Sequence, residues 1–391
     1  MRKKPALLLL LTLLFAQCTS VKKLLRQGEV IKAGISQPIE FEYQNRLLFV
    51  DVRVNGLPRR FIIDSGAPTV VSQELREELQ LKRVKSTQVS DSQNNRSKLE
   101  FVRLESLAFG GVEIAHSAAL ATDLSLFHCL GIDGLLGANA MSHFDWEVDY
   151  QEETIGLYRK GGAGQPEASY KIAIPFTTNA QGTPDLEIGI PGRLSTSGLT
   201  LDLGSTRGIS IRKTDKLNIR QDSASTFSYG RTSKGIFGAN TDTTWYFQVD
   251  SLLIGDALFG PTVITSFNTS NKIGNRFWEN YKLLISWSSQ RLYLSPRNAT
   301  SPQLPPELLK IGYEDGAVRI LTVYQKLAQA NDRIEPGDEV TAINGASTEG
   351  ISLEEYCALR EGVWEELQLK ARGKESGEIM EITLNRDELE W

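Results

Sequence analysis

Two Asp-x-Gly segments stand out in the sequence because each follows a short apolar stretch that is typical of a buried strand. The first is Asp64-Ser65-Gly66-Ala67, after residues 61–63, and the second is Asp202-Leu203-Gly204-Ser205, after residues 199–201. A carboxylate at the end of a buried strand is costly unless it is paired or hydrogen-bonded, and the glycine permits a tight turn. Two carboxylates about 3 Å apart cannot both ionise and therefore share one proton. Such a pair can activate water as a general base and protonate a leaving group.

An internal repeat relates these two segments. Residues 137–157 resemble residues 274–294 in their apolar pattern at an offset of 137, so that Ile155, for example, aligns with Leu292. The Asp-x-Gly segments lie at nearly the same offset, 138. A single Asp-Ser-Gly is most often an ordinary turn. Two at repeat-consistent positions, each after an apolar stretch, indicate a duplicated unit that brings two carboxylates together.

The body of the chain, about residues 38–297, resembles the pepsin/retropepsin family of aspartic proteases in its bacterial, single-chain, two-lobed form. Asp64-Ser65-Gly66-Ala67 matches the family's Asp-Ser/Thr-Gly-Ala/Ser, and residues 132–137 match its later apolar-apolar-Gly element. The second half keeps an equivalent element at Ile273-Gly274. The resemblance implies a mainly β fold of two duplicated lobes. It implies a catalytic pair and supporting residues, namely Asp64 and Asp202, supported by Ser65, Gly66, Gly204 and Ser205.

One position departs from the family pattern. The family has Thr or Ser after each catalytic aspartate, and each hydroxyl hydrogen-bonds across to the opposite turn, an arrangement called the cross-brace below. Leu203 stands at this position in the second half, so Ser205 is a candidate to orient Asp202 instead. Family members also close a β-hairpin flap over the substrate, and we consider residues 228–230 and 90–97 as flap tips.

The last part of the chain carries a separate resemblance. Residues 333–345 contain Pro-Gly-Asp followed by Asn-Gly, which resembles the signature of bacterial PDZ domains. Gly312-Tyr313 stands where that family has its carboxylate-binding loop, and Ser352 is the expected N-cap of a helix to Arg360 that flanks the groove. The resemblance implies that the domain adds a peptide to a sheet edge and captures its C-terminal carboxylate. The alternative is a domain that only packs against the body.

The N-terminus has the pattern of a targeting segment. Residues 2–4 are basic and residues 5–16 form an apolar run, which is shorter than the roughly 20 residues that span a bilayer. This order is typical of a signal peptide. Cys18 resembles the acylated cysteine of bacterial lipoproteins, which would anchor the protein to a membrane in the periplasm or at the cell surface. The alternative is an ordinary cleaved signal with an incidental cysteine.

Other patterns predict elements and boundaries. Asn55-Gly56 between apolar runs predicts a β-hairpin, and Ser72 predicts the N-cap of a helix over residues 73–79. In chain order we expect a signal peptide (1–18), a tether (19–37), a first protease lobe (38–160), a linker (161–170), a second lobe (171–297), a second linker (298–306) and a small α+β PDZ-like domain (307–391).

Composition argues against several classes of function. The net charge is −5 and the basic residues are spread along the chain, which argues against a nucleic acid partner. The three histidines have no metal-binding spacing, so we expect no zinc, no other cofactor and no Ser-His-Asp triad. The three cysteines are too scattered for a disulfide framework, and the apolar surroundings of Cys129 predict a buried thiol. We expect a monomer that acts on polypeptide substrates.

Together these patterns favour a cell-envelope aspartic endopeptidase, in which Asp64 and Asp202 activate water against a peptide bond and the C-terminal domain selects polypeptides. One alternative is a catalytically degenerate, peptide-binding lipoprotein that keeps the fold but has lost the chemistry through Leu203. Another is a structural envelope protein that uses both folds for assembly.

Overall fold

The structure is a computed structural model that describes residues 21–34, 37–90, 96–161, 166–192, 194–212, 225–235, 238–267, 271–297, 307–362 and 364–390. Cys18, with the rest of the predicted signal peptide, and the predicted linker 298–306 lie outside these ranges. Strands dominate the described residues, which confirms the predicted mainly β fold class. No helix in this part of the chain is both long enough and apolar enough to cross a bilayer.

Most strands of the first half of the chain, up to about residue 160, form one nine-stranded sheet. Its elements are β1 (Glu29–Ala33), β2 (Ile39–Glu40), β3 (Glu42–Gln44), β4 (Leu47–Val54), β5 (Leu57–Asp64), β6 (Val70–Ser72), α1 (Gln73–Glu78), β7 (Arg83–Ser90), β8 (Arg96–Phe109), β9 (Val112–Thr122), a 3-10 turn (Ser125–Leu130), β10 (Gly134–Gly137), α2 (Ala138–Met141), β11 (Phe144–Asp149) and β12 (Thr154–Arg159).

The second half, up to about residue 297, is also built mainly of strands. Its elements are a 3-10 turn (Pro166–Ser169), β13 (Ile172–Pro175), β14 (Thr177–Thr178), β15 (Pro184–Ile190), β16 (Leu194–Leu201), β17 (Ile209–Arg212), β18 (Ser225–Gly235), β19 (Gly238–Val249), β20 (Leu252–Ile254), β21 (Ala257–Phe259), β22 (Thr262–Phe267), β23 (Lys272–Ile273), α3 (Asn275–Trp278), β24 (Tyr281–Ser286) and β25 (Arg291–Pro296).

The same strand pairings occur in both halves and place the Asp-x-Gly segments at equivalent points. In the first half β10 runs parallel to β5 and antiparallel to β6, with Gly137 opposite Asp64. In the second half β23 runs parallel to β16 and antiparallel to β17, with Ile273 opposite Leu201. β6 pairs in parallel with β9, as β17 does with β22. The repeat in the sequence is therefore also a repeat of backbone topology.

The two halves meet in a six-stranded sheet whose order is β13-β25-β24-β11-β12-β2. β11 and β24 pair antiparallel at its centre. Trp146 and Trp278 are fully buried beside this sheet, and each indole Nε1 donates to a backbone carbonyl at 2.8 Å, that of Met141 and that of Ile273. Two large aromatic side chains with satisfied polar groups stabilise the junction that positions the Asp-x-Gly turns.

Three local predictions are confirmed. Asn55 and Gly56 turn between β4 and β5 with positive φ angles of 50° and 85°, as a two-residue hairpin requires. Ser72 caps α1, and its Oγ accepts a hydrogen bond from the N–H of Leu75. Ser352 caps the helix that ends at Arg360, through a capping box with Glu355.

The C-terminal region has a hydrophobic core of its own, which includes Val318, Val340 and Leu369. One edge of this region continues the sheet of the second half, because residues 322–324 pair antiparallel with residues 228–230 of β18. Its elements are β26 (Leu309–Glu314), β27 (Ala317–Tyr324), α4 (Gln325–Ala330), β28 (Glu339–Ile343), β29 (Ala346–Ser347), α5 (Leu353–Arg360), β30 (Glu366–Arg372), β31 (Ile379–Asn385), a 3-10 turn (Arg386–Glu388) and β32 (Leu389–Glu390).

A disulfide joins Cys129 to Cys357, two residues separated by 228 positions in the sequence. Cys129 lies in the 3-10 turn of the first half and Cys357 lies in α5. Beside the disulfide, Nε2 of His128 lies 3.5 Å from Oε1 of Glu354. The prediction of a buried thiol at Cys129 is therefore wrong. The pairing depends on how α5 docks onto the first half, which cysteine spacing does not reveal.

Candidate active site

The structure brings the two Asp-x-Gly turns together, with Asp64 at the end of β5 and Asp202 directly after β16. In each turn the glycine N–H donates to Oδ1 of its aspartate, at 2.9 Å for Gly66 and 3.0 Å for Gly204. Each glycine also packs against the opposite carboxyl. A methyl group on Gly66 would lie 2.8 Å from Cγ of Asp202, and one on Gly204 would lie 2.5 Å from Cγ of Asp64. Only glycine fits at these positions, and Asp64 and Asp202 form one carboxylate pair.

Ser65 links the two turns through its hydroxyl. Its Oγ donates to the carbonyl oxygen of Leu201 at 2.6 Å and accepts from the N–H of Leu203 at 3.0 Å. Ser65 is fully buried, so removal of its hydroxyl would leave two backbone groups unsatisfied away from water. One side of the expected cross-brace is therefore present, and it comes from the residue that the sequence predicted.

Leu203 occupies the position where the second hydroxyl is missing, and its side chain is fully buried in the core. Its carbonyl oxygen accepts from Nδ2 of Asn275 at 2.7 Å, and Oδ1 of Asn275 accepts from the hydroxyl of Tyr150 at 2.7 Å. An amide at the start of α3 thus holds the second turn. Asn275 was not predicted from the sequence, although its place directly after Ile273-Gly274 was a usable signal.

The carboxylate of Asp202 has a cationic partner that the sequence analysis also missed. Nζ of Lys272 lies 3.2 Å from Oδ2 of Asp202, and the two side chains are only 12% and 13% exposed. The signal was a lysine directly before Ile273-Gly274, where the first half has an apolar residue. Ser205, the predicted support of Asp202, contributes through its backbone N–H, which donates to the carbonyl oxygen of Asp202 at 3.2 Å.

The two carboxylates differ in their electrostatic surroundings. Burial and, next, the charge of Asp202 raise the pKa of Asp64 from 3.8 to about 7. The N–H of Gly66 and the charge of Lys272 oppose this rise. Asp64 therefore keeps a proton up to nearly neutral pH, while Asp202 faces an ammonium group. A protonated carboxyl next to a carboxylate is the arrangement that acid–base catalysis by two acids requires.

Several hydrogen bonds hold the first turn in place. Nε2 of Gln181, a residue of the second half, donates to the carbonyl oxygen of Gly66 at 3.0 Å. The N–H of Thr69 donates to Oδ1 of Asn139 at 2.7 Å, and the N–H of Gly137 donates to Oγ1 of Thr69 at 3.2 Å. Gly137 has no room for a side chain against the backbone of residues 68 and 69. The apolar-apolar-Gly element thus packs behind the turn, as predicted.

The predicted flap tips fall on two hairpins with different surroundings. β7 and β8 form the first, and its tip, residues 91–95, lies outside the described residues. β18 and β19 form the second. Residues 228–230 lie within β18 and pair with β27, so their assignment as a flap tip is wrong. Gly230 was mistaken for a turn residue, whereas its φ of 122° permits the close approach of the carbonyl of Leu321.

The predicted peptide-binding residues of the C-terminal region lie in a strand. Gly312 and Tyr313 belong to β26, and the turn falls at residues 315–316, so their assignment to a loop is wrong. The ring of Tyr313 lies 5.8 Å from that of Tyr356 on α5, and its hydroxyl donates to the carbonyl oxygen of Ile351 at 3.0 Å. Tyr313 therefore connects β26 to α5.

Among the described residues, no group of three or more histidine, cysteine, aspartate or glutamate side chains is arranged to hold a metal ion. The positive charge beside Asp202 is supplied by Lys272.

Comparisons with known proteins concern the first half most directly. A family model described as aspartyl protease matches residues 50–140, which include the turn at Asp64 but not Asp202. A search of curated proteins finds no match. Among solved structures, the chain is similar to a retropepsin-like aspartic protease from Rickettsia conorii, at 20% identity and a TM-score of 0.24, over 34% of this chain and 93% of that chain. It is also similar to basic 7S globulin from soybean, at 10% identity and a TM-score of 0.38, over 66% of this chain and 93% of that chain.

Proposed function

We propose that the protein is a two-lobed aspartic endopeptidase in which each lobe contributes one carboxylate. The observation that carries this proposal is the contact of each glycine with the opposite carboxyl, Gly66 with Asp202 and Gly204 with Asp64. The match of residues 50–140 to the aspartyl protease model supports the same reaction class. In this reaction one carboxylate takes a proton from a water molecule while the water attacks the scissile carbonyl carbon. The other carboxyl is protonated and acts as the acid.

The C-terminal region would act as a PDZ-like domain that captures the polypeptide substrate. Support comes from the position of β26, which lies beside α5 and pairs with β32 only at Leu309 and Lys310 within the described residues. A peptide strand can add to such an edge through main-chain hydrogen bonds. The disulfide to Cys357 fixes α5 against the first half, so a captured chain would be held near the body of the enzyme.

An exported location also belongs to the proposal. Disulfides form and persist mainly in oxidising compartments such as the periplasm and the cell surface, and Cys129–Cys357 is such a bond. Together with the signal-like N-terminus, this supports export, and the attachment to a membrane would be through Cys18.

The second candidate is a peptide-binding lipoprotein that has kept the fold and lost the chemistry. The observation in its favour is the ion pair of Lys272 with Asp202, because a carboxylate held by an ammonium group is a weaker base. Leu203, which removes one hydroxyl of the cross-brace, points the same way.

Cleavage of a diverse peptide library by the mature chain, from pH 3 to 8, tests the first proposal. We expect Asp64→Asn and Asp202→Asn each to lower the rate by roughly 10²- to 10⁴-fold, whereas Asp51→Asn, at an exposed position on β4, leaves it unchanged. A statine-type mimic of the transition state should bind the wild type and inhibit it. If the chain binds peptides but shows no cleavage that the mimic inhibits, the second candidate is favoured.

A further inference from the structure

Lys272 is a mostly buried cation that the proposed acid–base chemistry does not by itself require. It lies on β23, where its neighbours in register are Thr200 on β16 and Ser210 on β17. The equivalent residue of the first half is Leu135 on β10. The same point of the topology thus holds an apolar side chain in one half and a charged side chain in the other.

The residues in register with Leu135 and Lys272 differ in the same way as Leu135 and Lys272 themselves, apolar in the first half and polar in the second. Leu135 lies in register with Ile62 and Val70, which are 2% and 0% exposed. In the second half the corresponding neighbours carry hydroxyl groups. The hydroxyl of Ser210 bonds that of Thr265 at 2.8 Å, and the hydroxyl of Thr200 bonds Oδ1 of Asp185 at 3.1 Å. A polar layer has replaced an apolar one around Lys272, which lowers the cost of holding a charge there.

The cation is placed asymmetrically with respect to the carboxylate pair. Nζ of Lys272 makes its ion pair with Asp202, at 3.2 Å from Oδ2. Among the described residues, the titratable and charged groups that face Asp202 are Asp64 from the end of β5 and Lys272 from β23. Asp185 on β15 is hydrogen-bonded to Thr200, which lies in register with Lys272. A cation that touches one member of a coupled pair favours the negative charge on that member and leaves the proton to the other.

We propose that Lys272 is a positioning residue that fixes the negative charge of the pair on Asp202 and the shared proton on Asp64. This inference rests on the proposed peptidase function and assigns the two roles within it. Asp202 accepts a proton from water while the water oxygen bonds to the scissile carbonyl carbon, and Asp64 gives its proton to the carbonyl oxygen. On collapse of the tetrahedral diol, Asp202 returns its proton to the leaving nitrogen as the C–N bond breaks. Asp64 regains a proton from the diol.

The first test measures the charge directly and does not depend on activity. Aspartate carboxyl carbons labelled with carbon-13 are titrated by NMR in the full mature chain, in an Asp64→Asn and an Asp202→Asn background. Each background is compared with and without Lys272→Leu, the residue that the first half uses at this point. Because each background contains one member of the pair, the effect of Lys272 on each carboxyl is measured separately.

We expect Lys272→Leu to raise the pKa of Asp202 by about 1 to 3 units in the Asp64→Asn background, and the pKa of Asp64 by clearly less in the other. Lys272→Arg should restore the wild-type titration, and Lys370→Leu, at a side chain that is 54% exposed, should change neither carboxyl. Lys272→Met serves as a second neutral variant if Lys272→Leu does not fold. An equal or larger shift at Asp64, or no shift at either carboxyl, would overturn the inference.

The second test is the pH dependence of peptide cleavage. Loss of the cation should move both limbs of the rate profile of Lys272→Leu to higher pH, and Lys272→Arg should keep the wild-type profile. Cleavage with an unchanged profile in Lys272→Leu would contradict the inference and leave the peptidase proposal intact. Preferential coupling of Lys272 to Asp202 in the NMR titration, in a protein that cleaves no peptide, would refute the peptidase proposal and support the charge assignment.

Discussion

The two halves of the molecule share one backbone plan but differ in the side chains at the two Asp-x-Gly turns. The first half has Ser65, whose hydroxyl links the turns, where the second has Leu203. The second half has Lys272, which pairs with Asp202, where the first has Leu135. The glycines that bring the turns together occur in both. The comparison indicates that the glycines are common to both copies, while the first copy contributes the hydroxyl that links the turns and the second contributes the positive charge beside Asp202.

The largest expected effect tests the difference in charge. The pKa of Asp64 is raised to about 7, so the folded state holds a proton that the unfolded state loses near pH 4. Folding stability contributed by this group is therefore highest at low pH and falls as the pH rises from about 4 to about 7, by up to about 4 kcal/mol. Unfolding by guanidinium at each pH should show this loss in the wild type and not in Asp64→Asn, while Asp51→Asn behaves as the wild type. Equal pH dependence in all three proteins would contradict the assignment.

The next effect breaks the cross-brace on the side where it exists. Ser65→Ala leaves the carbonyl of Leu201 and the N–H of Leu203 unsatisfied, so we expect a loss of about 2 to 3 kcal/mol in the free energy of unfolding. Ser65→Thr keeps the hydroxyl and is the matched control. A loss below about 0.5 kcal/mol, the range usual for neutral surface changes, would show that the hydroxyl does not carry the link between the turns.

The two hairpins differ as well, since β7 ends its sheet while β18 pairs with β27. A side chain on Gly230 would collide with the backbone of Leu321, so Gly230→Val should weaken this pairing by about 1 to 2 kcal/mol. Hydrogen exchange at residues 322–324 should become faster, which mass spectrometry of the exchanged protein measures. Gln88→Val, at an exposed position on β7, is the control. Unchanged exchange at residues 322–324 would mean that the pairing does not hold the C-terminal region.

The smallest expected effect tests whether a hydroxyl placed at position 203 can form the missing half of the cross-brace. Leu203→Thr and Leu203→Val leave side chains of equal size, and the threonine alone can reach across to the first turn. We expect Leu203→Thr to be more stable than Leu203→Val by about 0.5 to 1.5 kcal/mol in chemical denaturation. The opposite order is the usual result for a buried hydroxyl without a partner. That order would show that the first turn has no acceptor for it.

What could be predicted from the sequence depended on local signals. The turns at Asp64 and Asp202 were found because glycine and an apolar strand accompany each carboxylate, and the hairpin at Asn55-Gly56 was found in the same way. Lys272 was not found, because its partner is close only after β23 has packed beside β16. Gly230 was wrongly predicted to lie at a hairpin tip because glycine serves both in turns and at close approaches between strands.

The bond between Cys129 and Cys357 encloses the whole second half, with Asp202, in a covalent ring of chain. A single cut anywhere between these cysteines would open the ring without releasing either piece, and a nicked molecule would separate only after reduction. The ring also limits the conformations of the unfolded chain, an effect that grows with the length enclosed. The protein is proposed to hydrolyse peptide bonds. If it cleaved its own chain once between these cysteines, the disulfide would keep the two fragments joined.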